Sequence, residues 1–221
     1  ITDDWTAVDD RAAARKAQDW EARLFDRCEA VTVCSMGLLE SRKPLRGDLE
    51  LIPNAVDVEA MQRPRPRPDD LPRGRTAVYV GTLHTDRLDV ALTARLASEC
   101  PDVSVVLVGP DSLDDDSRRT LDGAGVLRFG ARPYADVPAY LQHADVVIVP
   151  HVVSPFTESL DPIKAYECLA VGTPTVATPV AGFRDLGSPV VVAEADAFVE
   201  AVRSLLAGAP DVAPQPVGTW T

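Results

Sequence analysis

Between residues 77 and 207, short and largely apolar runs alternate with longer segments that mix apolar and charged positions. Residues 77–80 precede a helical stretch expected over 86–100, residues 103–108 one around 114–121, residues 126–129 one near 135–142, and residues 146–149 one over 162–171. Residues 175–177 and 190–192 complete the strands, and a last helix is expected over 196–207. A strand apolar at successive positions has no face to offer water, so these strands need cover on both sides. Alternation with helices then predicts a doubly wound, Rossmann-like parallel α/β sheet. Such sheets bind ligands where the carboxyl ends of the strands lead into helix N-termini. Functional side chains are therefore expected just after each strand.

The first fifty residues follow a different pattern. A helix is expected over 9–28, where Trp20, Leu24 and Cys28 recur at four-residue intervals among charges. Short strand-like runs follow at 30–34 and 49–52, the second stopped by Pro53 and Asn54. One helix and two short strands are too little for an independent sheet. They read as the end of a preceding domain and its junction, residues 1–57, ahead of the ligand-binding domain at 58–208 and a tail at 209–221. Prolines and arginines alternate over 63–75, which favours extended geometry in a linker or surface loop. A basic nucleic-acid arm is the rival reading of that stretch, but Asp69 and Asp70 interrupt it.

Composition narrows the partners. The chain is 46% hydrophobic and 25% charged, which suits a folded core, and its formal net charge of -12 offers no general attraction to a nucleic-acid backbone. Any phosphate must be held by a local site. The four cysteines lack CxxC pairing or regular spacing, so neither a zinc site nor a disulfide framework is indicated, and a reducing, cytoplasmic setting is expected. No run approaches the ~20 apolar residues of a membrane span.

The chemistry concentrates in residues 161–174. Asp161 is placed to cap a helix with Pro162 at its first position, which leaves free N–H groups and a positive dipole end as an anion site. Lys164 in the first turn adds a fixed charge suited to a diphosphate. Glu167, three residues on, shares its face and is suited to the hydroxyls of a ribose. The plain alternative is a surface ion pair between the two. Gly81, after the first strand of the main domain, lets a phosphate approach the backbone. His151 directly follows Pro150 at the end of residues 146–149 and is either a ligand donor or a neutral structural histidine. His84 is open in the same way. The acidic run at 111–116 is read as a helix start and not as a metal site.

Residues 161–178 resemble the donor-site motif of the GT4-like (group 1) glycosyltransferases, in the C-terminal, donor-binding domain of their GT-B fold. Glu167 matches the second glutamate of the family's pair, and Val171-Gly172-Thr173-Pro174 the turn that follows. Further matches run along roughly residues 15–207. Ile52-Pro53-Asn54-Ala55-Val56-Asp57 resembles the interdomain junction, with Ala55 for the usual glycine, and Gly218-Thr219-Trp220-Thr221 the start of the family's final helix. The resemblance implies that Glu167 binds the donor ribose and that the backbone at Pro162 and Ile163 faces the donor sugar and phosphates. It places Arg87 where a family lysine meets the diphosphate, Thr82 where the family has an arginine, and Arg132 beside the nucleotide base. The first glutamate of the pair falls at Ser159, between Glu158 and Asp161, and Asp161 is expected to meet the sugar hydroxyls.

The activity so implied is transfer of a hexose from a nucleotide-diphosphate sugar to a sugar, lipid-linked or other small acceptor, in cell-surface polysaccharide or glycolipid assembly. It uses neither metal ion nor cofactor and no nucleic acid. The catalytic base, and any peripheral membrane association, are expected in a preceding domain. A sugar-nucleotide epimerase and a non-catalytic nucleotide-sugar-binding domain are the rival readings of the same fold.

Overall fold

The computed structural model describes residues 1, 3–7 and 10–208. Asp10 accepts hydrogen bonds from the N–H groups of Ala12 and Ala13 and so starts α1 (Arg11–Arg27). Asp9, where the periodicity predicts the helix start, lies outside the described residues, as does the tail at 209–221 with its family-like Gly218 to Thr221. After α1 come β1 (Thr32–Val33), α2 (Met36–Arg42) and β2 (Glu50–Leu51), and the two strands pair in parallel.

The periodicity of α1 makes a helix but not a packed one, since Trp20 and Leu24 stay 58% and 47% exposed. With Trp5 they line an open cavity of about 500 Å³. Charge anchors this part instead. The buried Arg42 guanidinium donates to both carboxylate oxygens of Asp4, at 2.5 and 2.8 Å, and to Glu21 at 3.0 Å. It thereby ties α2 to α1 and to the residues before it.

Next come α3 (Val58–Gln62), β3 (Arg75–Val80), α4 (Val90–Glu99), β4 (Val103–Val108), α5 (Asp115–Gly123) and β5 (Leu127–Gly130). A 3-10 turn at Tyr134–Asp136, α6 (Val137–Gln142), β6 (Val146–Val149) and a second 3-10 turn at Thr157–Ser159 follow. The chain continues through α7 (Ile163–Val171), β7 (Thr175–Ala177), β8 (Val190–Val192) and α8 (Ala195–Ala207). Among the described residues the main sheet has six parallel strands in the order β5-β4-β3-β6-β7-β8. Neighbouring positions of a strand face opposite sides. Ala77 and Tyr79 accordingly join the core shared with α4, α5 and α8, and Val78 the core shared with α6 and α7. The chain runs outward from β3 through β4 and β5, then returns to the other side of β3 with β6. The loops leaving β3 and β6 therefore part, and a crevice opens at the carboxyl edge of the sheet.

Two expectations change in detail. The helix placed over 86–100 begins at Val90, capped by Asp89, because Arg87 and Leu88 turn back on the His84 carbonyl and Leu88 bridges to His151. The proline–arginine stretch has no helix or strand before β3 begins at Arg75, yet it is packed against the main domain. Leu71 is buried, the Arg65 N–H donates to Gln142, and Asp70 accepts from Tyr140 and Arg132.

Hydrogen bonds tie the segments around the first sheet to the main domain. The Ser35 hydroxyl donates to the Ser159 carbonyl at 2.5 Å, and Asn54 donates from its backbone and its side-chain amide to Asp161, both at 2.5 Å. Asn54→Ala removes the side-chain bond and is expected to cost about 1–3 kcal/mol, read as a lower urea midpoint at unchanged slope. Among the described residues no helix is long and apolar enough to cross a membrane.

Candidate functional site

β3 and β4 end side by side at Gly81 and Gly109, with φ of +153° and +150°. The Gly81 N–H donates to the Val108 carbonyl at 2.8 Å, which fixes the turn. A Cβ on Gly109 would run into the Gly81 carbonyl, and one on Gly81 into the ammonium arm of Lys164. Glycine is needed here both for the backbone angle and for the space above it. Gly81→Ala is therefore expected to abolish ligand binding in this crevice while the chain still folds, which paired calorimetric and thermal-melt measurements would read.

The opposite wall is α7. Pro162 stands at its N-cap, one position earlier than the sequence pattern suggests, and no side chain caps the helix. Asp161 is not the cap. Its Oδ2 accepts from the Asn54 N–H at 2.5 Å and its Oδ1 from the Tyr166 hydroxyl at 2.8 Å, so it clips the junction to α7. The first N–H groups of α7, with the positive end of its dipole, are left without a side-chain acceptor. The Lys164 ammonium lies 5.5 Å from the Tyr79 ring centroid.

Glu167 follows on the same face and is only 6% exposed, which rules out the plain surface ion pair. Burial pushes its carboxyl up from the usual range, while Lys164 and a hydrogen bond from the Tyr134 hydroxyl oppose that. Gly81, Thr82, Arg132, Tyr134, Ile163, Lys164 and Glu167 line one cavity of about 290 Å³.

The remaining expected residues stand outside that lining. His151 is 2% exposed, and its Nε2 lies 3.2 Å from the Tyr79 hydroxyl. Burial, then the charges of Lys164 and Arg87, hold it well below its ordinary range, so it is a neutral support beneath the tyrosine that carries Lys164. Arg87 pairs with Asp3 at 3.4 Å and lies over the Phe156 ring, 5.3 Å from its centroid. Ser159 is buried and donates to the Phe156 carbonyl, and Glu158 pairs with Arg184. Arg132 is not a lone surface arginine: it donates to Asp70 at 2.8 Å, to the Tyr140 hydroxyl at 3.1 Å and to the Phe129 carbonyl at 2.6 Å.

Asp111 pairs with Arg118 and Arg128, and Asp114 caps α5, as the helix-start reading expects. Among the described residues no group of three or more His, Cys, Asp or Glu is arranged to hold a metal ion. Among the lining residues that sequence reasoning missed is Tyr134. Its signal was its place two residues after Arg132, in the loop at the carboxyl end of β5.

Residues 74–208 match the family described as Glycosyl transferases group 1. The chain is 28% identical over 181 residues to a putative teichuronic acid biosynthesis glycosyltransferase, TuaH, of Bacillus subtilis, covering 77% of this chain and 45% of that protein. It is 33% identical over 174 residues to a phosphatidyl-myo-inositol mannosyltransferase of Mycolicibacterium smegmatis, covering 73% and 44%. It thus spans less than half the length of these relatives. Among solved structures, the Anabaena protein Alr3699/HepE in complex with UDP and glucose superposes with a TM-score of 0.68 at 16% identity, over 89% of this chain and 58% of that one. Sheet order, switch-point crevice and family match agree, and the chain belongs to the group 1 glycosyl transferases.

Proposed function

We propose that the chain supplies the donor-binding part of a hexosyltransferase, which moves a sugar from a nucleotide-diphosphate sugar to a sugar, lipid-linked or other small acceptor. The observation that carries this reading is the convergence of the Gly81 backbone, Lys164 and the buried Glu167 on one crevice. Glu167 accepts hydrogen bonds from the ribose hydroxyls. Lys164 and the first N–H groups of α7 hold the diphosphate, which the glycine turn lets approach. As the bond from the anomeric carbon to the diphosphate breaks, negative charge grows on the departing oxygen. A fixed ammonium and aligned N–H groups stabilise that charge without having to reorganise. They take the place a metal ion would have, and no cofactor enters. Arg132, held by Asp70 and Tyr140, stands on the side of the base.

The relatives named for teichuronic acid biosynthesis and for a mannosyl transfer support a role in cell-surface polysaccharide or glycolipid assembly, and the neighbour holding UDP and glucose supports the donor class. The acceptor site, the catalytic base and any attachment to a membrane surface belong to the further length those relatives have. Action on the cytoplasmic side fits a nucleotide-sugar donor. The test is release of nucleoside diphosphate from UDP- and GDP-sugars by the whole protein, with and without a membrane-lipid extract as acceptor. Acceptor-dependent release that persists in EDTA is expected. Release indifferent to acceptor contradicts transfer, and release that needs an added divalent cation contradicts metal independence.

Glu167 also carries a stability prediction. Its folded pKa lies above the unfolded value, so the folded state holds the extra proton and stability falls as pH rises from the ordinary carboxylate range through the folded pKa. Glu167→Gln removes that burden. It should melt higher at pH 7, by about 0.5–2 kcal/mol of stability, while binding nucleotide more weakly.

A further inference from the structure

We infer that Tyr79 is a positioning residue for the donor phosphates: its ring face seats the Lys164 ammonium above Gly81, and that seating sets how tightly a diphosphate is held. The inference rests on the donor-site reading above and names the residue through which its lysine is placed. Lysine ends in a compact charge on a flexible four-carbon stem, and an ammonium free to swing loses entropy when a phosphate fixes it. Here the ammonium has a seat. Lys164 Nζ lies over the Tyr79 ring, 5.5 Å from its centroid, within reach of the negative face of the ring. Among the described residues no carboxylate stands in salt-bridge reach of Lys164 and no group hydrogen-bonds its ammonium, so the ring face is its partner. Gly81 forms the other side of the seat. A Cβ there would overlap the Lys164 Nζ and stand 3.0 Å from the Tyr79 hydroxyl, which places lysine end, tyrosine and glycine turn together.

The ring is itself fixed. Tyr79 belongs to β3, is 0% exposed and packs in the core shared with α4, α5 and α8. Its hydroxyl donates to the Thr82 carbonyl at 3.4 Å and meets His151 Nε2 at 3.2 Å. With its proton committed to Thr82, the hydroxyl accepts from His151. Nδ1, which has no partner among the described residues, is then the bare acceptor of that imidazole and not a stranded N–H. Strand, core and two polar contacts hold the face on which the ammonium rests. If Tyr79 served packing alone, replacing it would change stability and leave the effect of the lysine untouched.

The test is calorimetric titration with UDP, GDP and ADP of the chain, Tyr79→Phe, Tyr79→Leu, Lys164→Met and the double variant of the last two, each shown to be folded by its thermal melt. Phenylalanine keeps the ring face and leucine removes it. For the diphosphate that binds, Tyr79→Phe should stay within about threefold of wild type and Tyr79→Leu should bind about tenfold more weakly, the worth of a partly desolvated cation–ring contact. Once Lys164 is methionine, Tyr79→Leu should cost nothing more. Leucine within about threefold of wild type, equal losses for phenylalanine and leucine, or a loss that persists without the lysine each overturns the inference. A second readout needs neither nucleotide nor a change at Tyr79, and so stands even if Tyr79→Leu does not fold. In a chain carrying 13C-labelled lysine, the Lys164 Hε protons are identified by their loss in Lys164→Met. They should resonate upfield of those of Lys16 and Lys43, because ring currents shield protons above an aromatic face. Hε shifts alike in all three lysines remove the seat and the inference. If wild type binds no diphosphate, the donor reading falls and this inference with it. Binding that Lys164→Met weakens and Tyr79→Leu does not removes the inference alone.

Discussion

Lys164→Met weakens binding of the preferred nucleoside diphosphate by roughly 100-fold and leaves folding almost unchanged. Methionine keeps most of the stem over Tyr79 and deletes the ammonium, so the loss reports charge and not packing. Charge-assisted hydrogen bonds contribute about 1.5–3 kcal/mol each, and roughly 100-fold in affinity corresponds to about 2.8 kcal/mol. The α7 N–H groups remain, so binding weakens without vanishing. In the whole transferase the rate should fall by about 10²–10³, the usual cost of removing one preorganised donor from a developing anion. Titration calorimetry and single-turnover kinetics would read the two effects. Affinity within about threefold of wild type would mean that the lysine faces no phosphate.

Arg42→Ala destabilises the chain by about 3–5 kcal/mol, the largest stability effect expected, because it strands Asp4 beside an empty guanidinium site. Side chains of Arg42 and Asp4 are 6% and 10% exposed, so water does not fully replace what is lost. Burial alone would raise the Asp4 carboxyl. Hydrogen bonds from Arg42 and Thr6 outweigh it and hold the group below its ordinary 3.8. A depressed carboxylate contributes stability above its unfolded pKa and loses it as pH falls through the folded value. The gap between wild type and Arg42→Ala, followed by urea unfolding, should therefore narrow below about pH 3.8 and be full at neutral pH. A gap that does not change with pH would assign the cost to lost packing.

The sheet was legible because its strands are buried on both faces. Run 146–149 is apolar at every position and 103–108 at all but Ser104, the pattern of a parallel sheet covered on both faces. The crevice followed from topology, since Gly81 stands just beyond the end of β3 and Lys164 in the first turn of α7, the helix that follows β6. Contacts between distant segments left no local trace. Asp161 reads as a helix cap from its neighbour Pro162, but its acceptors are taken by Asn54, 107 positions away, and by Tyr166. Arg42 carries no local signal in the sequence, and its role emerges only when Asp4, 38 positions earlier, is brought beside it. The resemblance placed Arg87 where a family lysine meets the diphosphate, and in the structure the turn on the His84 carbonyl and the bridge from Leu88 to His151 hold it ahead of α4, paired with Asp3. Periodicity also placed Trp20 and Leu24 on one face of α1 without saying what that face meets.

The most direct test of the account is calorimetric titration of the chain with UDP, GDP and ADP, repeated on Glu167→Ala. The account predicts that one nucleoside diphosphate binds selectively and that its affinity falls at least tenfold in the variant, because the ribose loses its buried acceptor. A folded chain that binds none of the three, or binds one equally well without Glu167, would contradict it.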